Sequence, residues 1–332
     1  MVIAVLLGLA WFAYYLPPNN LVILSVLSLI VPIVLGVHFL YIIFWSIKKD
    51  KRVLLSLLCI LLSYFIFNPF YRFSSQNKTD QERSFSIMSY NVRNLNKHQQ
   101  LPIANVDSSI IRFILKESPD ILVIQESHRV MSKKTPLDDI YPYKFLNFQN
   151  GVPRTNVVNA LFSKYPIKNV ELIEFPSSNN AALYGDIDLN GKTIRVFNTH
   201  LQSFNVIPDV EHLQNEESGK LFRRILKVLN KQEEQAVILK KHIEESPYPV
   251  LLTGDFNNTQ FSKVYRILKK DFNDSFLKTG SSFGKTFEIF KLPIRIDYIL
   301  ADQNFEILSH TNFDIKLSDH YPIKATLTLN PH

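Results

Sequence analysis

Acidic, amide and imidazole side chains stand where apolar runs of this 332-residue chain end, begin or are interrupted. Singly, an Asp or Asn after a strand is usually a turn residue or a helix N-cap. A charge such as Glu126 at the end of the run LVIQES needs a partner or a metal ion. Taken together these positions predict one shared site, made by Asn91, Glu126, His200, Asp255, Asn257, Asp297, Asp319 and His320.

This mixture of side chains is typical of metal-assisted hydrolysis of a phosphate ester. Carboxylates with few imidazoles or thiols suit Mg²⁺, with Mn²⁺ as an alternative, whereas zinc would call for clustered His or Cys. A carboxylate can orient or deprotonate the attacking water, and His, Asn and the metal can stabilise the charge that grows on phosphate oxygens. Asp255 and Asn257 share a face if the strand PVLLTGDFN stays extended through both residues.

The elements that must position these residues alternate between strands and helices from Phe85 onward. SFSIMSYN, DILVIQES, NALFSKYPI and PVLLTGDFN read as strands, and VDSSIIRFILKES reads as a helix capped by Asp107 or Ser108. Asn190-Gly191 predicts a hairpin between two alternating runs, and a long helix begins at LFRRILK. Strands that are apolar on both faces must be covered on both faces, which predicts an α/β layered sandwich.

The first seventy residues are instead almost continuously apolar. We expect transmembrane helices at about 2–16, 21–45 and 53–70, of which the second is comfortably long enough to cross a bilayer and the first is shortest. Residues 71–84 are polar and predict a linker, and residues 85–332 predict the catalytic domain. Two to three membrane helices would thus precede the sandwich.

The charges predict which side of a membrane the larger domain faces. SIKKDKR carries four cations between the second and third runs, which places that loop in the cytoplasm and residues 71–332 outside it. We therefore expect an integral membrane protein, of the bacterial inner membrane, with an extracytoplasmic catalytic domain. The net charge of +7 is compatible with an anionic substrate, and the single cysteine, Cys59, excludes an intrachain disulfide.

The motifs YNVRN, IQES, ALFSKYPI, FNTHLQS, LLTGDFNN, GKTF…RIDYIL and LSDHYPI occur in this order. The sequence from Phe85 to Leu329 thereby resembles the endonuclease/exonuclease/phosphatase superfamily, which includes deoxyribonuclease I, repair exonucleases, neutral sphingomyelinases and inositol-polyphosphate phosphatases. The resemblance implies a four-layer αββα sandwich of two packed mixed sheets, with the site at one edge.

The resemblance also implies a role for each site residue. Glu126 would be the main Mg²⁺ ligand with Asn91 beside it, and Asp319 would support the metal. Asp255 would activate the water, Asn257 and His200 would bind the phosphate, and His320 would contact the scissile phosphate in an orientation set by Asp297. Arg93 stands where repair-type relatives commonly carry an acidic residue; it could bind phosphate or pair with a carboxylate.

The expected function is a Mg²⁺-dependent, nuclease-like phosphodiesterase tethered to a membrane. A sphingomyelinase-like lipid or head-group phosphodiesterase is the alternative, because an anchor would hold the site near a bilayer. A non-catalytic binding protein on the same fold is a third reading, which the complete set of site residues disfavours. The expected partners are a nucleic acid or phospholipid head group and the membrane itself; no protein partner is predicted.

Overall fold

The structure is a computed structural model that describes residues 1–73, 83–99, 101–149, 152–153, 158–204, 218–289 and 291–330. Most of the predicted linker, residues 74–82, lies outside the described residues, as do residues 205–217 after His200. The chain divides into two compact units. One comprises residues 1–70, 204–237 and 258–268, and the other comprises residues 71–203, 238–257 and 269–332.

The helices and strands are named in chain order. The helices are α1 (Val2–Tyr15), α2 (Val22–Ser25), α3 (Leu27–Ile47), α4 (Val53–Ile66), α5 (Val106–Glu117), α6 (Ser218–Glu244), α7 (Lys263–Lys269) and α8 (Ser275–Thr279). The strands are β1 (Phe85–Asn91), β2 (Ile121–Gln125), β3 (Tyr143–Leu146), β4 (Phe148–Gln149), β5 (Val152–Pro153), β6 (Ala160–Ser163), β7 (Ile167–Glu174), β8 (Ala181–Leu189), β9 (Lys192–His200), β10 (Val250–Asp255), β11 (Asn273–Asp274), β12 (Phe287–Ile289), β13 (Leu292–Ile294), β14 (Asp297–Ala301), β15 (Phe305–Asn312) and β16 (Ile323–Leu329).

The apolar N-terminal runs form helices that pack on one another around Leu7, Val34, Cys59 and Phe67. Val22–Ile47 is the one described helical stretch that is long and apolar enough to cross a membrane, with 26 residues or about 39 Å. α1 and α4 have 14 residues each, about 21 Å, which is short of a ~30 Å hydrocarbon core. By length and composition, one of the two to three expected spans is therefore supported.

The unit that contains residues 1–70, 204–237 and 258–268 also holds a buried ion pair. Lys263 Nζ lies 2.9 Å from Glu233 Oε2, and both side chains are almost fully buried. The other carboxylate oxygen of Glu233 accepts a hydrogen bond from the Ser25 hydroxyl at 2.7 Å, and Lys263 also donates to the carbonyl of Asn20. Since each charge has several partners, the pair offsets the cost of leaving water.

Two six-stranded sheets make up most of the second unit. The first sheet has the order β15-β16-β1-β2-β6-β3, and the second has the order β11-β14-β10-β9-β8-β7. Each sheet is mixed and holds one parallel pair at its centre, β1–β2 in the first and β9–β10 in the second. The predicted Asn190-Gly191 hairpin joins β8 to β9, with Asn190 and Gly191 both at positive φ.

The two sheets pack face to face through fully buried aliphatic side chains. Ile87 and Val123 of the first sheet join Leu183, Val196 and Leu251 of the second in one apolar core. The amphipathic helix α5 covers the outer face of the first sheet, and α8 packs against β14 and β15. Two packed mixed sheets with flanking helices are thus confirmed. The N-cap of α5 was predicted wrongly, because the helix begins after Asn105.

Candidate active site

The first pair of site residues stands at the carboxyl ends of the parallel strands β1 and β2. Asn91 is the last residue of β1, in register with Gln125, and Glu126 follows directly. Glu126 adopts a left-handed conformation with φ of +50°, which ends the strand sharply. The Asn91 Nδ2 group lies 3.2 Å from Glu126 Oε1, so the amide and the carboxylate are already paired.

The second pair stands at the carboxyl ends of β9 and β10, where His200 is in register with Asp255. The preceding residue, Gly254, has a φ of +124°, and a Cβ there would lie 2.0 Å from the carbonyl oxygen of Thr199. Only glycine fits this close approach of the two strands. The His200 Nε2 atom lies 3.6 Å from Asp255 Oδ2 and 3.8 Å from Glu126 Oε1.

Asp297 and His320 reach the same edge from antiparallel strands. Asp297 begins β14 opposite Asp255, whereas His320 stands ahead of β16 in the other sheet. The Nδ1 group of His320 donates to Asp297 Oδ2 at 2.9 Å, and its Nε2 atom lies 3.7 Å from Asp255 Oδ2. Because strands that run in opposite directions begin where their neighbours end, residues far apart in sequence converge here.

Asn257 meets Asp255 by a route that the sequence did not predict. β10 ends at Asp255, and Asn257 has a left-handed φ of +48°, so extended strand geometry does not persist through both residues. A turn instead lets the Asn257 N–H donate to Asp255 Oδ1 at 2.7 Å and its Nδ2 lie 3.2 Å from Oδ2. The condition for a shared strand face is therefore not met, although the two side chains do meet.

Arg93 and Asp319 lie near Asn91 and Glu126, which the sequence predicts as metal ligands. Arg93 Nε is 3.3 Å from Asp319 Oδ2, so of the two alternatives left open, Arg93 pairs with a carboxylate in this structure. The Arg93 N–H also donates to Asn91 Oδ1 at 3.1 Å. All the residues that the sequence assigned to the site are therefore linked to one another within the described part of the second unit.

Burial displaces the pKa values of the two central carboxyl groups upward. Desolvation raises the pKa of Glu126, and the nearby Asp319 adds to this, while His320 and Asn91 oppose it. Asp255 is fully buried, and its pKa rises to about 6 because burial and the charge of Asp297 outweigh the opposing pull of His320 and His200. A carboxyl group that titrates near neutral pH is suited to general base catalysis.

The two histidines of the site shift in opposite directions. Burial alone would lower the pKa of His320, but Asp297 and Asp255 raise it well above its ordinary value, so the ring is a cation at neutral pH. Burial dominates at His200 and lowers its pKa. Neither ring nitrogen of His200 has a hydrogen-bond partner among the described residues. His200 thus offers a neutral donor or acceptor that a bound ligand could satisfy.

The oxygen-rich side of the site fits a hard divalent cation. Glu126, Asp319 and the amide oxygen of Asn91 offer the ligand chemistry that Mg²⁺ prefers, and a cation would offset the desolvation that raises the pKa of Glu126. A second group, Asp255, Asp297 and His320, also brings three donor atoms within 4.8 Å of one another. Because His320 Nδ1 already donates to Asp297, we interpret this group as a carboxylate–imidazole pair.

Sequence reasoning missed a buried polar network behind the site. Gln125 donates to Asn198 Oδ1 at 2.7 Å, and Asn198 donates to the carbonyls of Ile124 and Ala160. Asn198 belongs to the second sheet and Gln125 to the first, so the bonds join the two sheets within two residues of Glu126 and His200. The only signal in the sequence was an amide inside each of two apolar strands.

Residues 88–320 match the model of a family described as the Endonuclease/Exonuclease/phosphatase family, and residues 1–70 match a domain of unknown function, DUF8431. No curated protein matches the chain significantly in sequence.

Several solved structures share the fold. TDP2 of D. rerio, humanized by 14 mutations, is 16% identical, with a TM-score of 0.57 over 74% of this chain and 100% of that chain. An endonuclease/exonuclease/phosphatase family protein from Bacteroides thetaiotaomicron is 18% identical, with a TM-score of 0.56 over 76% of this chain and 100% of its own. The human Nocturnin catalytic domain with a bound sulfate is 17% identical, with a TM-score of 0.55 over 76% and 97% of the two chains.

Proposed function

Because this chain belongs to the endonuclease/exonuclease/phosphatase family, we propose that it is a metal-dependent phosphoester hydrolase of the phosphodiesterase type. The observation that carries the proposal is the position of Asp255. This buried carboxylate accepts a hydrogen bond from Asn91 at 3.0 Å and lies within 3.7 Å of a ring nitrogen of both His200 and His320. Asp255 as a base thus lies next to the cationic His320 and the amide donor of Asn91.

In the proposed reaction Asp255 orients the attacking water and takes its proton. Its raised pKa makes it a stronger base than an exposed carboxylate, and it remains ionised at neutral pH. The hydrogen bonds from Asn257 hold the carboxylate in one orientation, which lowers the entropy cost of placing the water.

His320 and His200 act on the phosphate. His320 is held as a cation by Asp297 and donates to a phosphate oxygen as negative charge grows there. His200, whose ring nitrogens have no hydrogen-bond partner among the described residues, donates a second hydrogen bond. Removing one such donor typically costs about 3–4 kcal/mol of barrier.

Glu126, Asn91 and Asp319 would hold a Mg²⁺ ion, with Mn²⁺ as a substitute. When bound, the metal supplies Lewis-acid stabilisation of the phosphoryl oxygens. Arg93 keeps Asp319 in place and limits the negative charge on this side of the site. These assignments rest on donor chemistry and on the half-buried carboxylate of Glu126, whose pKa desolvation raises.

Two substrate classes remain candidates, and each has an observation in its favour. A nucleic acid is favoured by the structural neighbours, one of which is D. rerio TDP2 complexed with a single-strand DNA product. A phospholipid or sphingolipid head group is favoured by the N-terminal helices, which would hold the enzyme at a bilayer. Among these helices many large apolar side chains are solvent-exposed, including Val5, Phe12, Leu40, Leu61 and Phe65.

The same exposed apolar side chains support a membrane anchor. Lys48, Lys49, Lys51 and Arg52 lie in the turn after α3, and by the positive-inside rule this turn is cytoplasmic. The catalytic domain lies outside the cytoplasm only if the 14-residue α4 and the residues that flank it also cross the membrane; a single span through α3 would leave the domain in the cytoplasm. Protease added to intact spheroplasts should cleave that domain; full protection would contradict this topology.

The activity is tested with purified full-length protein in detergent. We expect hydrolysis of bis(p-nitrophenyl) phosphate with Mg²⁺ or Mn²⁺, loss of turnover with EDTA, and recovery when metal is restored. Plasmid DNA and labelled sphingomyelin assayed side by side separate the two substrate classes. A stably folded protein that hydrolyses no phosphodiester or phosphomonoester with either metal would favour the non-catalytic alternative.

A further inference from the structure

Thr286 is a fully buried residue that the reaction described above does not use. It directly precedes β12, and its hydroxyl oxygen accepts hydrogen bonds from the backbone N–H groups of Ile296 at 2.9 Å and Asp297 at 3.1 Å. Its own N–H donates to the carbonyl of Ile294. One threonine side chain therefore binds the backbone at the point where Asp297 enters β14.

The same short segment also binds the backbone and the ring of His320. The carbonyl of Thr286 accepts from the N–H of Tyr321 at 2.8 Å, and Phe287 forms an antiparallel bridge with His320. The ring of Phe287 lies against the imidazole, with centroids 4.9 Å apart and planes inclined by 53°. His320 is thus held from one side by Thr286 and Phe287.

These contacts matter because Asp297 and His320 come from different sheets. Asp297 begins a strand of the second sheet, whereas His320 precedes a strand of the first. Apolar packing between the sheets is not directional, so it does not define the alignment of two side chains to within a hydrogen bond. The described backbone ladders hold each partner to its own sheet, while Thr286 and Phe287 touch both partners.

We propose that Thr286 and Phe287 are positioning residues that align the imidazole of His320 with the carboxylate of Asp297 across the two sheets. The expected effect of this alignment on turnover rests on the proposed function. The structural part of the inference, the alignment of the His320–Asp297 hydrogen bond, stands on the contacts alone.

The test compares Thr286→Val with Thr286→Ser in the full-length protein. Valine matches the shape of threonine but leaves the N–H groups of Ile296 and Asp297 without this acceptor, whereas serine keeps it. We expect Thr286→Val to lower kcat on bis(p-nitrophenyl) phosphate by about 10- to 100-fold with KM within about twofold, since small misplacements of catalytic groups carry costs of this size. Thr286→Ser, which keeps the acceptor, should leave kcat near the wild-type value.

A matched control is Thr279→Val. Thr279 is also buried, and its hydroxyl donates to the carbonyl of Ser275 within α8. The variant should lose stability without changing kcat, which separates positioning from a general loss of fold. Phe287→Leu is the second variant and covers the case in which Thr286→Val fails to fold; it removes the ring beside His320 and should also lower kcat more than KM changes.

A second readout needs no turnover. The proton of the His320 Nδ1–H···Asp297 hydrogen bond should give a low-field NMR resonance in the wild type, assigned by its loss in His320→Gln. We expect it in Thr286→Ser and Thr279→Val, and expect it broadened or lost in Thr286→Val and Phe287→Leu. Its persistence in both of these variants, its absence from the wild type, or an unchanged kcat in both would overturn the inference. A wild type that shows the expected resonances but hydrolyses no phosphoester would instead overturn the proposed function.

Discussion

Two buried histidines of the second unit, His310 and His320, have similar surroundings and opposite charge states. Each is almost fully buried and lies beside a phenylalanine ring, Phe276 for His310 and Phe287 for His320. Burial raises the pKa of neither, yet the pKa of His320 lies well above the ordinary value and that of His310 falls to about 4. The difference must come from their polar neighbours.

The acceptor at Nδ1 accounts for the difference. His320 donates to the carboxylate of Asp297 and faces a second carboxylate, Asp255, so its positive charge is stabilised. His310 lies 2.8 Å from the hydroxyl of Ser275, which carries no charge. The carboxylate that raises the pKa of His310, Asp274, is already paired with Arg295 at 2.6 Å, so little negative field remains for the imidazole.

Burial of a histidine is therefore not evidence for a catalytic role in this fold. What distinguishes the site is that the carboxylate beside its histidine is not neutralised by another cation, so its charge stabilises the protonated imidazole. Asp274 shares its charge with an arginine, and Asp297 shares its charge with His320 alone among the described ion pairs. Variants that alter these carboxylates and imidazoles should separate catalysis from stability.

Asp255→Asn should have the largest effect on catalysis. Asparagine keeps the shape of the side chain but cannot accept the proton of the attacking water, so we expect kcat to fall by about 10³-fold. The melting temperature should be unchanged or higher, because a buried charge is removed. Hydrolysis of bis(p-nitrophenyl) phosphate and a thermal melt measure the two quantities; a kcat within tenfold of wild type would exclude Asp255 as the base.

Asp274→Asn alters the His310 region and should act on stability. Arg295 would lose the negative charge 2.6 Å from its guanidinium, and loss of one partner of a buried pair typically costs about 3 kcal/mol. Chemical unfolding measures the loss. The control is Glu245→Gln, which breaks an exposed pair with Lys241 and should cost less than about 0.5 kcal/mol. Equal effects of the two variants would contradict the contrast between buried and exposed pairs.

Asp297→Asn should lower kcat by about 10²-fold while the protein remains folded. The amide offers no charge to hold His320 as a cation, so the imidazole loses its proton at a lower pH and donates more weakly to the phosphate. His310→Gln is the matched variant at the other histidine and should leave kcat within about twofold of wild type. If His310→Gln lost as much activity as Asp297→Asn, the two regions would not differ in function.

Part of the acid sensitivity of folding should trace to His310, alongside His200, whose pKa burial also lowers. The folded pKa of His310, about 4, lies below the unfolded value near 6.5, so the unfolded chain binds a proton in this window and the native state does not. Stability is complete above pH 6.5 and falls as the pH drops toward 4, by on the order of 3 kcal/mol. His310→Gln should flatten this part of the unfolding curve measured against pH; an unchanged slope would rule out His310 as one of the groups responsible.

Local pattern was sufficient for several elements. The alternating runs around Asn190-Gly191 form the predicted hairpin, and the apolar runs that end at Asn91, Gln125 and Asp255 are buried strands as expected. These succeeded because side-chain periodicity and turn preferences act over a few residues. The predictions for the cap of α5 and for an extended path through Asn257 failed because Asn105 and Asn257 adopt left-handed backbone, which apolar periodicity does not indicate.

By itself the sequence determined which residue types gather for chemistry and which runs are apolar enough to be strands or membrane helices. Only the tertiary structure decided that Asp297 and His320 form one pair from two sheets, that His200 is left without a hydrogen-bond partner among the described residues, and that His310 stays neutral. The reason is physical: residue type sets what a group can donate or accept. Its charge state and its partner depend on the desolvation and the neighbouring charges that folding brings to it.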